Sequence, residues 1–130
     1  MSQVALDVPE RRNLIASHAN TSLALDYVAS FSGQIFHMIN VEVRYVPDKL
    51  VMDVNSLPDY LKALNSMAND ALEGLAGIIL EDLNNELVPR WLHVTASVGD
   101  QTNPVRHSVS FEDRQPTWDN PVLLARLTSI

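Results

Sequence analysis

Proton transfer is the chemistry these side chains most readily allow. The chain carries four histidines, His18, His37, His93 and His107, and sixteen carboxylates, and histidine is the side chain whose ordinary pKa lies nearest neutrality. There is no cysteine, which removes thiolate attack, thiolate metal ligation and disulfides together. Serines are numerous, but none stands in a Gly-x-Ser-x-Gly elbow. The four glycines form neither a dinucleotide fingerprint nor a phosphate loop. No two histidines make a His-x-His pair. A zinc site would need the sheet to bring His37, His93 and His107 together from three predicted strands, and ordinary strand histidines are the simpler account, so no metal is expected. Glu73, three residues after Asp70, has the spacing of a helix capping box.

The elements that must position these groups follow from periodicity. Leu23, Leu25, Tyr27, Ala29 and Phe31 alternate with Ala24, Asp26, Val28 and Ser30, which predicts a two-faced strand. Ser32-Gly33-Gln34 reads as a turn. Ile35, His37, Ile39, Val41, Val43 and Tyr45 then share one face of a second strand, with Asn40, Glu42 and Arg44 on the other. Pro47-Asp48 interrupts, and residues 50–54 continue extended. Ser56 with Asp59 predicts a capped helix start, with Pro58 tolerated in its first turn; Leu57, Tyr60, Leu61 and Leu64 form its stripe. A second helix is predicted from Asp70, with Leu72, Leu75, Ile79, Leu83 and Leu87 on one face, ending before Pro89. Trp91, His93, Thr95 and Ser97 alternate with Leu92, Val94, Ala96 and Val98 in a third strand. A turn through residues 99–104 leads to a fourth over 107–111.

The order strand, strand, helix, helix, strand, strand predicts an α+β domain, a four-stranded antiparallel sheet with two helices on one face. Three segments are expected: an arm and loop over residues 1–20, holding His18, one domain over 21–111, and an extended strap over 112–130 whose Trp118, Val122, Leu123, Leu124 and Leu127 dock on the same or a neighbouring copy. The 130 residues, 46% hydrophobic, suit a single core. Sixteen acidic against nine basic side chains give a net charge of -7, which repels a phosphate backbone, so nucleic acid is not an expected partner. No apolar run reaches membrane-spanning length, and residues 1–12 lack the order of a secretory signal, so a cytoplasmic protein without membrane contact is expected. The open edges of such a sheet favour a homo-oligomer.

The stretch Val43-Arg44-Tyr45-Val46-Pro47-Asp48-Lys49-Leu50, continuing to Asp53-Val54-Asn55-Ser56-Leu57, resembles the signature region of the 7-cyano-7-deazaguanine reductases. The resemblance runs over about residues 41–98 and implies the tunnelling fold, in which several subunits close their sheets into a barrel. The family motif reads roughly Glu-Ser-Lys-Ser-Leu-Lys, and both lysine positions differ here, being Asn55 and Pro58. Asp53 and Ser56 match it in kind and are carried over as ligand-binding residues. The resemblance also implies a nucleophilic cysteine that this chain lacks. If Thr21-Ser22-Leu23 matches the family's Thr-Ser-Leu-Cys loop, Ala24 takes the nucleophile's place.

Aligning Val88-Pro89-Arg90 with the family's Asp-Pro-Arg puts Glu73 at the glutamate that holds the heterocycle. A carboxylate can accept from adjacent ring N–H and amino donors, a planar bidentate pairing, so Glu73 is read as an anchor, a helix cap, or both. His18, beside the same loop, is the candidate acid or base. Asp26 is the candidate for the family's proton-transferring aspartate, although its strand alternation makes solvent exposure equally natural. Loss of both lysines removes the expected phosphate partners of a nicotinamide nucleotide, so no cofactor is expected. The expected function is an acid/base enzyme of isomerase, lyase or hydrolase type on a small planar or cyclic metabolite at a subunit interface, and not a nitrile reductase. The alternative is a non-catalytic ligand-binding or scaffold homo-oligomer.

Overall fold

The computed structural model describes residues 7–99 and 104–127. The start of the arm, most of the turn predicted over 99–104 and the last three residues of the strap lie outside these. The elements are α1 (Val8–Arg12), β1 (Ser17–Ala19), β2 (Ala29–Ile35), β3 (Ile39–Val46), β4 (Leu50–Met52), α2 (Leu57–Ala63), α3 (Leu72–Leu87), β5 (Trp91–Val98), β6 (His107–Arg114) and α4 (Pro121–Ala125), with 3-10 turns at Val54–Ser56 and Asn65–Met67. Four strands form an antiparallel sheet in the order β2-β3-β5-β6, and β1 pairs with β4 in a separate ribbon. The architecture is mixed α+β. Among the described residues no helix is long and apolar enough to cross a membrane.

The core lies on one face of the four-stranded sheet. The row Phe31, Val43, Val94, Phe111 runs across all four strands in register, and Val41, Val43, Tyr45, Leu92, Val94 and Ala96 pack into one buried cluster with Tyr60 and Leu61 of α2. All five residues of the predicted α3 stripe are buried in it, each contributing about 1.5–3 kcal/mol when fully removed from water. The helix stops at Val88, which adopts a left-handed φ of 45°, and Pro89 cannot extend it. The opposite sheet face carries Ser32, Glu42, Thr95 and Ser110 in one cross-strand row.

The hairpin turn falls later than the sequence predicts. Ser32, Gly33 and Gln34 lie inside β2, and the turn is Phe36-His37-Met38, closed by the Met38 N–H donating to the Ile35 carbonyl at 3.1 Å. Phe36 and His37 hold left-handed φ values of 54° and 53°, so His37 is at a loop tip rather than on a strand. Gly33 serves packing: a Cβ there would overlap Leu61 Cδ1. The first strand is also displaced. It begins at Ala29, and Leu23 and Leu25 are exposed coil, because their carbonyls are bound by Arg90 and cannot enter a ladder. The fourth strand runs on to Arg114, and the strap beyond it includes the α4 turn.

A buried ionic knot fastens the arm. Asp82, fully buried on α3, accepts from Arg11 Nε at 2.6 Å and Nη2 at 2.9 Å, from Arg12 Nε at 2.9 Å and from Tyr60 Oη at 2.6 Å. Burial pushes its carboxyl pKa up, but hydrogen bonds from Arg11, Tyr60 and Arg12 outweigh that and hold it below the ordinary range. Burial, reinforced by the charge of Asp82, drives the Tyr60 hydroxyl pKa up, so it stays a donor.

Candidate functional site

Arg90 organises one end of the sheet. The Arg90 N–H donates to the Val46 carbonyl at 2.8 Å, fixing its backbone beside β3. Its guanidinium then reaches four acceptors: Nη1 to the Leu25 carbonyl at 3.0 Å and Asp26 Oδ1 at 2.9 Å, and Nη2 to the Leu23 carbonyl at 2.7 Å and Asp48 Oδ1 at 3.4 Å. The two carbonyls flank Ala24. The Thr21-Ser22-Leu23, Val46-Pro47-Asp48 and Val88-Pro89-Arg90 stretches therefore meet at one side chain.

Asp26 is closed in from the other side by the strap. Its Oδ2 accepts from Trp118 Nε1 at 3.1 Å and Asn120 Nδ2 at 3.0 Å. Burial raises its pKa, yet the donors Asn120, Arg90 and Trp118 overcome this and hold it below the usual carboxylate range. Such an aspartate is a settled anion with both oxygens engaged. Asp48 Oδ2 accepts from Gln115 Nε2 at 2.9 Å, which also ties the strap to this end. Buried Asn20 completes the loop, donating to the Asp48 carbonyl at 2.8 Å and accepting from the Ser22 N–H at 2.9 Å and Tyr27 Oη at 2.8 Å.

His18 is on a strand, β1, opposite Val51 of β4, and is exposed. The same ribbon leads to Asp53 and Ser56, whose hydrogen bonds are local. The Asp53 N–H donates to the Ala16 carbonyl at 2.8 Å, and its carboxylate accepts from the Asn55 N–H at 3.0 Å. Ser56 precedes α2 but makes no side-chain cap with Asp59; its Oγ donates to the Asp53 carbonyl at 2.7 Å and accepts from the Ala16 N–H at 3.1 Å. The predicted capping box is thus replaced by a staple between the 3-10 turn and the arm.

Glu73 stands in the first turn of α3, whose N-cap is Ala71 with no side-chain cap. Instead of capping with Asp70, it meets His107 Nε2 at 2.5 Å across 34 residues. That bond, more than any other contact, lowers its pKa. Both side chains are about half exposed. His107 pairs with Val98, whereas Arg90 sits just before Trp91, so Glu73 and the Arg90 node occupy opposite ends of β5, roughly 23 Å apart at the usual rise per residue. The structure places His18 on the ribbon, Asp53 and Ser56 at the 3-10 turn that follows it and Asp26 at the Arg90 node, and it sets Glu73 at the other end of β5.

The histidines are dispersed: His37 at the hairpin tip, His93 buried on the helix-free sheet face and stacked on Trp91, and His107 on Glu73. No three His, Asp or Glu side chains are arranged to hold a metal among the described residues. The roles of Arg90, Asn20 and Asn120 have no mark in spacing, and nothing in the sequence pairs the strap's Trp118 with Asp26. Asp82 carried a signal, an acid within the apolar stripe between Ile79 and Leu83.

No family model matches the chain. The NADPH-dependent 7-cyano-7-deazaguanine reductase of Syntrophus aciditrophicus (strain SB) is 32% identical over 84 residues, which is 63% of this chain and 57% of that protein. The chain thus spans little more than half the length of the relative it matches. The similarity supports a distant relationship to the reductase family.

Proposed function

We propose that this chain is a divergent tunnelling-fold subunit whose copies assemble through their sheet edges and hold a small planar, amino-substituted metabolite at a boundary between two copies. Glu73 of one copy anchors the ring, and His18 of the next transfers a proton. The observation carrying this reading is that Glu73 meets His107 at one end of β5, while exposed His18 lies on the separate β1-β4 ribbon, whose Asn20 is tied to the Arg90 end through Asp48. A pocket using both must be built from two chains, and closing the sheet into a barrel supplies such a boundary. Asp53 and Ser56 shape the His18 side of it through their staple to the arm. Asp26, with its oxygens engaged, acts as a fixed anion unless one of its donors yields. Acid/base chemistry of isomerase, lyase or hydrolase type follows, in a cytoplasmic enzyme without a nicotinamide.

The relative is an NADPH-dependent reductase, and the chemistry proposed for this chain differs from that. Nitrile reduction by the route known for the family starts with a thiolate, and the 130 residues contain none. A second reading, a non-catalytic ligand-binding or scaffold homo-oligomer, is favoured by the commitment of Asp26, Asp53 and Ser56 to structural hydrogen bonds.

Calorimetry with guanine-like and pterin-like compounds, beside light scattering, tests the proposal. Wild type should be oligomeric at micromolar concentration and bind at least one such compound. Glu73→Gln, which replaces one acceptor oxygen with a donor, should weaken binding at least tenfold while leaving the melting temperature nearly unchanged. A monomer, no binding by wild type, or equal binding by the variant would overturn it. Purified protein should not consume NADPH with 7-cyano-7-deazaguanine, and appearance of the amine would refute that part.

A further inference from the structure

The hairpin tip and α2 border a cleft of about 570 Å³ that the proposed site does not use. Its apolar lining comes from Leu57, Pro58 and Leu61 of α2. Leu57 and Leu61 lie against Gly33 of β2, where a Cβ would stand 3.7 Å from Leu57 Cδ2 and overlap Leu61 Cδ1. Phe36 lines the cleft from the turn, and its placement is costly twice over. Its φ of 54° is left-handed, a geometry that glycine adopts freely and asparagine far more readily than an aromatic residue, and its side chain is 58% exposed. That conformation is held from outside the turn, because the Phe36 N–H donates to Asn65 Oδ1 at 3.0 Å. A bulky residue kept in strained geometry with its ring in water contributes little to the packing of the fold, and such strain gathers where a ligand is held. Lys62 and Asn65 add donors to the same lining. Lys62, exposed in the last turn of α2, has no ion-pair or hydrogen-bond partner among the described residues, and the amide NH2 of Asn65 donates to none of them. In a chain of net charge -7, an unmatched ammonium beside an apolar cleft reverses the field locally.

We propose that this cleft binds a small aromatic carboxylate, with its ring against Phe36, Leu57, Pro58 and Leu61 and its carboxylate received by the Lys62 ammonium and the Asn65 amide. An exposed aromatic ring beside aliphatic side chains favours a flat apolar body, and the volume falls in the range of small-molecule pockets. One ammonium with one neutral amide matches a single negative charge, and a charge-assisted bond to it is stronger than one between neutral groups. The site uses neither Glu73 nor His18, so it stands or falls apart from the function proposed above.

The test titrates the full chain at low salt with 2-naphthoate, 2-naphthyl phosphate, 2-naphthylmethylamine and acetate, followed by calorimetry and by amide shifts in NMR spectra. The naphthoate should bind saturably and shift the amides of Phe36, Lys62 and Asn65, with the amine and acetate silent. Lys62→Gln should weaken binding about fivefold or more at an unchanged melting temperature. Phe36→Asn separates ligand from fold: it relieves the left-handed strain, so the melting temperature should hold or rise, while naphthoate binding falls about tenfold or more. The proposal is overturned if naphthoate does not saturate, if the amine, acetate or naphthyl phosphate binds as tightly, if either variant binds like wild type, or if Phe36→Asn melts earlier, which would make the ring a part of the packing.

Discussion

Replacing Asp82 by asparagine should be among the most destabilising single changes in this chain. The carboxylate is fully buried and receives Arg11, Arg12 and Tyr60. Asparagine keeps one acceptor and nearly the same volume, so little packing is lost, but Arg11, only 6% exposed, is left without its counter-charge. Removing one partner of a buried pair costs about 3–5 kcal/mol. The retained acceptor places the expected loss at the lower end, about 3 kcal/mol. For a domain of this size that corresponds to a fall in melting temperature of roughly 10 °C, measured at one fixed protein concentration so that assembly does not enter.

The pH dependence checks the cause. The pKa of Asp82 is depressed in the folded state, so its contribution is fully present above the unfolded value, roughly 4, and is lost as pH falls through the lower folded value. Melting curves of wild type and Asp82→Asn should therefore lie apart at neutral pH and converge under acid. A drop below about 3 °C, or a gap that stays constant into strong acid, would refute the reasoning. Arg11→Met with Asp82→Leu should recover only part of the loss: an apolar replacement of a buried pair is often neutral, but the Tyr60 hydroxyl and Arg12 lose their acceptor.

Gly33→Ala should destabilise by about 1–3 kcal/mol by overpacking against Leu61, and adding Leu61→Ala should cost less than the sum of the two changes in chemical denaturation. Val88→Gly should stabilise by about 1 kcal/mol, because a β-branched residue now holds a left-handed helix cap; an unchanged or lower unfolding midpoint would count against it. Arg90→Met should speed amide exchange in residues 21–28 and in the strap around Trp118, and unchanged protection there would show that Arg90 does not organise this end.

What the sequence made legible was what one period encodes. The α3 stripe was readable because five residues share a single 3.6-residue rhythm and nothing distant competes with it. β3 and β5 were readable because each alternates over its whole length. The failures lie where a remote partner decides. Residues 23–28 alternate like a strand, yet Arg90, more than sixty positions away, binds the carbonyls a ladder would need. Gly33 looks like a turn because glycine commonly is one, and only the approach of Leu61 shows its purpose. The true turn uses Phe36 and His37 in left-handed geometry, which their residue types do not advertise. Glu73 had the spacing of a cap, and His107 took its carboxylate instead.

The Arg90 node fixes a loop without using the side chain at its centre. Arg90 binds the carbonyls on either side of Ala24 and the carboxylates of Asp26 and Asp48. None of these contacts uses the side chain at position 24. The loop geometry is therefore fixed by backbone acceptors and by residues outside it, and a change of side chain at 24 leaves every one of those bonds intact. The strap adds to this: Trp118 and Asn120 close on Asp26 and Gln115 on Asp48, so the node is held from three directions.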